Sequence, residues 1–232
     1  DEAIAGFKSS TSDKAAMASF DYWCGGDMDM WIKVANQFKL RFAMRIVKAN
    51  PTLAKQKAEE AVAGGVLTSS DKDVLINQGL TNEMYRMYYS WQDCGTNANL
   101  ITIMEGMQDP RLPLYMTMNQ GDIKCEDGST IAAGTRYLGI RPGHDIVSKP
   151  NEYVNYSYIV LDYTTPLPVM FAAESYFLRA EGALRGWNMG GAAKDFYEEG
   201  IRTSIKHQLA YKGSFAGISS ISVSYTHLRA HE

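Results

Sequence analysis

An all-α chain built from helix pairs, with a largely irregular middle segment and a few short strands, follows from three observations. Trp31, Ala35, Phe38, Phe42 and Ile46 recur at three- and four-residue spacing, which makes one stripe of an amphipathic helix. Ala173, Phe177, Ala180 and Leu184 repeat that spacing near the other end. Between them, from Arg111 to Thr165, helical periodicity fades and turn residues multiply, and an irregular stretch of that length inside a folded chain usually covers a core or carries function.

Taken in order, residues 1–20 are small and polar around Ser9-Ser10-Thr11-Ser12 and read as a connecting segment. The first helix begins at Trp31, and Leu40, Ala43, Met44 and Val47 widen its stripe, so it is expected to pack on two sides. Asn50-Pro51 stops it and starts the next, with Asn as N-cap and Pro at the first helical position. Leu53, Ala54, Ala58, Ala61 and Val62 give that second helix a face of mostly small residues, ended by Gly64-Gly65. The two make an αα-hairpin. A third helix runs from Asn97 to Gly106, with Leu100, Ile101, Met104 and Met107 on one side, and stops at Asp109-Pro110. Glu126-Asp127-Gly128-Ser129 is a turn, and Tyr137–Ile140 and Tyr156–Leu161 are the strand candidates. A second helix pair runs from about Val169 to Arg185 and, after Gly186 and Gly190-Gly191, through Ala193, Tyr197, Gly200, Ile201 and Ser204. Phe38 to Ala54 and Phe177 to Ala193 are the same sixteen residues apart, a spacing that suits tetratricopeptide-like pairs nesting through small residues. The pairs lie 139 residues apart with dissimilar sequence between them, so this is no plain repeat array. Val223–Glu232, containing Ser224-Tyr225-Thr226-His227-Leu228-Arg229-Ala230-His231, resembles a translated sequencing adapter and is expected to be a non-native tail. Residues 1–222 are expected to be part of a single domain truncated at both ends.

Composition narrows the classes. Hydrophobic residues at 45% exclude disorder as the main state. A balance of 23 basic against 26 acidic residues argues against a nucleic-acid binder that relies on overall positive charge. No apolar run approaches the roughly 18 residues of a membrane span. Cys24, Cys94 and Cys125 are odd in number and lack C-x-x-C spacing, so neither a disulfide framework nor a zinc ribbon is indicated, although one pair could still bridge.

Catalytic and metal chemistry finds little support. There is no G-x-S-x-G elbow, and with the tail set aside only His144 and His207 are available as bases. The close carboxylate pairs are Asp27 with Asp29, Asp71 with Asp73, and Glu198 with Glu199. Turns and caps favour the second pair, and adjacent helix positions point the third apart. No H-E-x-x-H, calcium loop or phosphate-cradling glycine loop occurs. No catalytic residue, metal site or cofactor is therefore expected. Seven basic residues with no acid lie between Asp29 and Glu59, namely Lys33, Lys39, Arg41, Arg45, Lys48, Lys55 and Lys57. Such a run binds polyanions or, more often, forms a face whose counter-charges come from elsewhere in the fold.

The aromatics point to binding. Tyrosine outnumbers phenylalanine 14 to 8, which gives many rings a polar handle suited to half-wet surfaces. They crowd at Tyr85, Tyr88, Tyr89 and Trp91 and recur at Tyr137, Tyr153, Tyr156 and Tyr158, with Asp93, Asn97 and Asn99 close by. Rings outside the helical stripes can stack on the apolar faces of sugars while neighbouring amides bond hydroxyls. The competing reading is that some of them fill core beneath the irregular segment. The candidate ligand-binding residues are Tyr88, Tyr89, Trp91 and Asn97, followed by Tyr137 and Tyr153.

Four blocks then resemble one family. Trp31-Ile32-Lys33, Ala35-Asn36, Leu40-Arg41 and Ala43-Met44-Arg45 are similar to a helix of SusD/RagB-type proteins, and Asp109-Pro110-Arg111-Leu112-Pro113 to their D-P-R-L turn. Ala173-Glu174, Phe177-Leu178, Ala180-Glu181-Gly182-Ala183 and Arg185-Gly186-Trp187 resemble their late helix, continued by Tyr197, Gly200-Ile201 and Ser204. The blocks fall in family order across residues 31–204. The resemblance implies an α-superhelical SusD-like fold of tetratricopeptide-like pairs in a lipid-anchored protein of the bacterial outer-membrane surface. Its implied role is to capture oligosaccharide or polysaccharide, sometimes peptide, without catalysis, and to pass it to a SusC-like TonB-dependent transporter. The lipid-bearing cysteine is not in this sequence; Cys24 lies too deep to be it. No family binding motif matches residue by residue, because the four blocks are scaffold helices. The alternatives from other classes are a helical-repeat scaffold for protein partners and, behind it, a glycoside hydrolase.

Overall fold

A computed structural model describes residues 1–11, 13–76, 81–143 and 153–212. The adapter-like tail and His144 lie outside them. Along the chain run α1 (Glu2–Ser9), α2 (Lys14–Ala18), α3 (Met28–Arg45), α4 (Pro51–Ala63), β1 (Val74–Ile76), α5 (Glu83–Tyr85), α6 (Ala98–Gly106), α7 (Leu112–Tyr115), β2 (Ile123–Lys124), β3 (Thr130–Ile131), β4 (Leu167–Met170), α8 (Ala172–Leu184) and α9 (Ala193–Lys212). This is the helical fold with few short strands that the sequence predicts. Two compact units are present, one from the described residues of Asp1–Gln78 and Pro166–Tyr211, the other from those of Gly79–Thr165. No helix among the described residues is long and apolar enough to cross a membrane.

The first unit holds both helix pairs. In α4 the Asn50 side chain accepts a hydrogen bond from the Leu53 amide at 3.0 Å, with Pro51 in the first turn. Ala54, Ala58 and Ala61 are fully buried, and Gly65 turns the chain at φ +89°, a region that favours glycine. Leu40 and Ala43 of α3, Ala58 and Ala61 of α4, and Ala180, Met189 and Phe196 of the second pair share one apolar cluster. A second cluster joins Val34 to Leu67, Val74, Met170 and Ala172. The small residues let helices approach closely enough to gain dispersion contacts along their length.

Three features differ from the sequence reading. Residues 2–9 and 14–18 are helical where a connecting segment is expected, the second helix capped by the Asp13 side chain, and Phe7 of α1 stacks on Trp31 at 5.5 Å between centroids; Ile4 and Phe7, at three-residue spacing, form an apolar edge. Consequently the Trp31–Ile46 stripe is not the deepest face of α3. Val34, Asn36, Gln37, Leu40 and Ala43 are buried, while Phe42 is 61% exposed. The stripe instead lines an open apolar cleft of about 610 Å³ with Ile4 and Phe7. Finally, residues 167–170 are not the start of α8 but a strand, pairing antiparallel with Val74–Ile76. Pro168 fits because a two-stranded ribbon has only edge strands.

Polar groups fasten this unit. Glu174 accepts from Arg41 Nε at 2.6 Å and from a terminal guanidinium nitrogen at 2.5 Å, and buried Gln37 donates to it at 3.2 Å and to the Phe171 carbonyl at 2.8 Å. His207 Nδ1 lies 2.6 Å from Asp73, both side chains almost fully buried. Part of the basic run finds partners elsewhere in the chain: Lys39 and Lys57 both meet Asp1 and Glu60, and Arg41 meets Glu174.

The second unit is mostly irregular. The turn Glu126–Ser129 joins β2 and β3 into a short hairpin. The strand candidates at 137–140 and 156–161 form only isolated bridges, Asn97 with Ile140 and Met116 with Ile159. Leu138 nonetheless accepts from the Ser157 amide at 2.9 Å, so the two stretches are held together.

Candidate functional site

The aromatic crowd at residues 85–91 is helical, which its polar sequence hides. Asn82 is buried and acts as the nucleus: its side chain accepts from the Tyr85 amide at 3.2 Å and donates to the Thr165 carbonyl at 2.8 Å, and its own amide donates to Tyr163 at 2.9 Å. From that cap α5 runs directly into a π-helical turn, Arg86–Ser90. Tyr85 and Tyr89, four residues apart, therefore stack at 4.7 Å and 17°.

Around them an aromatic block assembles. Tyr158 meets Tyr89 edge-on at 5.3 Å and Tyr88 at 6.0 Å, and Tyr163 meets Tyr85 edge-on at 5.7 Å. Edge-to-face contacts of this kind are favoured by the ring quadrupole. Burial pushes the hydroxyls of Tyr88, Tyr89 and Tyr158 above their ordinary pKa. Hydrogen bonds with Thr81 and Arg86 pull that of Tyr163 below it.

The candidate residues take different positions in this setting. Tyr88 is only 8% exposed and its ring fills the interior. Tyr89 is half-buried, its hydroxyl donating to the Ile159 carbonyl at 2.7 Å. Trp91, at the end of the same turn, is 54% exposed. Asn97 is exposed and caps α6, accepting from the Asn99 amide at 2.8 Å. Tyr137 is half-buried against a separate apolar cluster of Ile101, Met104, Leu112 and Met116, and burial raises its hydroxyl pKa. The backbone of Tyr153 begins a 3-10 turn, Tyr153–Asn155; its side chain is outside the described residues. The structure thus brings Tyr88, Tyr89 and Trp91 onto one turn and places Tyr137 in another cluster. Tyr85, Tyr158 and Tyr163 complete the block. The sequence reading counts Tyr85 and Tyr158 among its aromatics without choosing them as contacts, and nothing local marks Tyr163.

Chemically, the block offers a rigid base of tyrosines beneath a turn that presents one indole. Stacking and hydroxyl recognition suit it. Asp162 acts electrostatically on Tyr89, and Glu83 on Tyr163. Asp27 caps α3 and pairs with Lys14. Glu198 and Glu199 meet Arg202 on α9. His207 is buried against Asp73 and the edge of Phe171 at 4.7 Å. Among the described residues no group of three His, Cys, Asp or Glu is arranged to hold a metal ion. Cys24, Cys94 and Cys125 are unbridged.

Comparison with known proteins is consistent with this architecture. A SusD-like protein from Bacteroides thetaiotaomicron superposes with a TM-score of 0.77 at 40% identity, over 90% of this chain and 42% of the other. A chitin-binding SusD homologue from Flavobacterium johnsoniae gives 0.75 at 36% identity, over 89% and 42%. A SusD homologue from Bacteroides ovatus gives 0.75 at 31%, over 97% and 43%. The chain therefore spans less than half the length of these structures. No curated protein matches it. The SusD-like model of Susd and RagB outer membrane lipoproteins matches residues 1–219, and with the paired helices and the ordered blocks of residues 31–204, the chain belongs to the SusD-like family.

Proposed function

We propose that this chain is the glycan-capturing part of a lipid-anchored protein on the bacterial outer-membrane surface, which holds oligosaccharide or polysaccharide for a SusC-like TonB-dependent transporter. The observation that carries the proposal is Trp91, half exposed at the end of a turn packed on interlocked tyrosines. An indole face stacks on the C–H face of a pyranose, and a preformed platform lowers the ordering cost of binding. Asn97 and the half-buried Tyr89 stand nearby in sequence as hydroxyl partners, with Tyr88 supporting from beneath and Tyr137 and Tyr153 as outer contacts. That a homologue 36% identical over most of this chain is chitin-binding favours a glycan as the ligand. Affinity from one platform is modest, and several subsites along a polymer would raise it.

Isothermal titration of the chain against a panel of soluble glycans, chitin oligosaccharides included, tests this, with released reducing ends assayed in the same tubes. Binding without release supports capture and names the glycan class. Release overturns it in favour of a hydrolase, which requires two carboxylates roughly 5 to 9.5 Å apart in a cleft. Peptide binding with no glycan binding moves the ligand to the family's other class, and binding of neither favours a scaffold for protein partners.

A further inference from the structure

This inference rests on the reading of the ligand as a glycan, and it lies wholly within the first unit. A smaller cleft of about 430 Å³ opens where the loop before α3, the first turns of α3 and a 3-10 turn at Ser70–Lys72 meet. Its size falls within the roughly 300–1,000 Å³ of small-molecule sites. Trp23, Asp29, Met30, Lys33, Asp71 and Lys72 line it.

The aromatic wall is rigid. Asp21 accepts from the amides of Trp23 and Cys24 at 3.2 Å, from that of Gly26 at 2.8 Å, and from the Trp31 indole at 2.7 Å. Gly26, at φ +76°, lies so close to the Lys14 carbonyl that a Cβ would stand 2.5 Å from it. The loop is thus pinned to α2 as well as to α3. Trp23 stacks on Trp31 at 5.7 Å and 13°, and it packs with Met30 against the Val34–Val74 cluster. Half-buried, it keeps its remaining surface for the cleft.

The polar groups around that wall are uncommitted. Asp21 uses the Trp31 indole N–H, whereas no described residue accepts the one on Trp23. Asp29 and Lys33 sit four residues apart on α3, the spacing at which opposite charges on a helix meet. Neither side chain makes an ion pair among the described residues, and nor does Lys72. Asp71 is bonded to the Ser69 hydroxyl. Two further acids on the lining are taken: Asp27 by Lys14 at 2.6 Å, and Asp73 by His207 and the Ala172 amide. What remains is two carboxylates and two ammonium groups in balance beside an indole. Sugar hydroxyls both donate and accept, so they can use both signs. A charged ligand would find no surplus of opposite charge.

We propose that this cleft is a second glycan subsite. It holds a neutral pyranose against Trp23, whose hydroxyls donate to Asp29 and Asp71 and whose oxygens accept from Lys33 and Lys72.

The test labels the whole chain with 5-fluorotryptophan and assigns the Trp23 and Trp91 fluorine lines by their loss in Trp23→Phe and Trp91→Phe. Chitohexaose, xylohexaose, maltohexaose and a galacturonic acid hexamer are titrated in. The expected result is a shift of the Trp23 line with at least one neutral hexamer and none with the galacturonate. Asp29→Ala and Lys33→Ala remove exposed side chains, which the fold tolerates. Each should raise the concentration needed to shift the Trp23 line about tenfold or more while the Trp91 response stays in place. A moving Trp91 line with a static Trp23 line overturns the subsite and leaves the Trp91 platform standing. The converse supports the subsite and removes the platform. If neither line moves with any hexamer, both are overturned. An undiminished Trp23 response in both variants, or a shift with galacturonate, overturns the assignment of a neutral sugar to this cleft.

Discussion

Trp91 sets the first expectation at the scale of single residues. Trp91→Ala should weaken glycan affinity at least about tenfold, equivalent to roughly 1.4 kcal/mol, as read by titration; unchanged affinity removes this site. Glu174 sets the second. It accepts from Arg41 twice and from buried Gln37 once, so Glu174→Ala leaves both donors short of an acceptor. A loss of about 1–3 kcal/mol is expected, seen as a lower denaturation midpoint. A pH effect belongs here too. Hydrogen bonds from Lys39, Lys57 and Gln56 hold the Glu60 carboxyl down to about 2. Because the folded value is depressed, its contribution is present above the ordinary carboxylate range and fades as pH falls from there toward that value. The stability difference between wild type and Glu60→Gln should therefore shrink between about pH 5 and pH 2, and remain small throughout because the pair is solvent-screened.

Helices are read through their glycines. A Cβ at Gly182 would lie 2.6 Å from Met189 Sδ and 3.3 Å from Met44 Cε, in the cluster that joins the two helix pairs. Gly182→Val should overpack this contact and cost about 1–3 kcal/mol, although glycine is itself a poor helix former. A Cβ at Gly6 of α1 meets nothing within 4 Å, so Gly6→Ala should stabilise by about 0.5–1 kcal/mol. Thermal melts of the two variants should move in opposite directions; equal shifts would deny that close approach fixes residue 182.

For the whole molecule, the helix pairs and the aromatic turn belong to different units. The first draws residues from both sides of the second in sequence and holds the helix pairs; the second carries the aromatic turn. Hydrogen exchange with and without bound glycan should show added protection at residues 85–97 and none along α4 and α8. Protection concentrated in the helix pairs would place the ligand on the first unit and set Trp91 aside.

The sequence by itself determined the helix pairs, because their signals are local: the Asn50-Pro51 start, the alanine face of α4, the Gly64-Gly65 stop and the stripes of α3 and α8. It also marked Tyr88, Tyr89 and Trp91 as a crowd, since composition is visible without a fold. Only the tertiary structure decided which ring is interior and which is exposed, because Tyr88 and Trp91 differ by their contacts with Tyr158, some seventy positions away, and no local pattern encodes that partner. The same holds for α1, whose short apolar edge acquires meaning only against Trp31, and for residues 167–170, which become a strand only because Val74–Ile76 offers a partner. Periodicity reports how one segment can bury a face; what it buries that face against is a long-range choice made by packing.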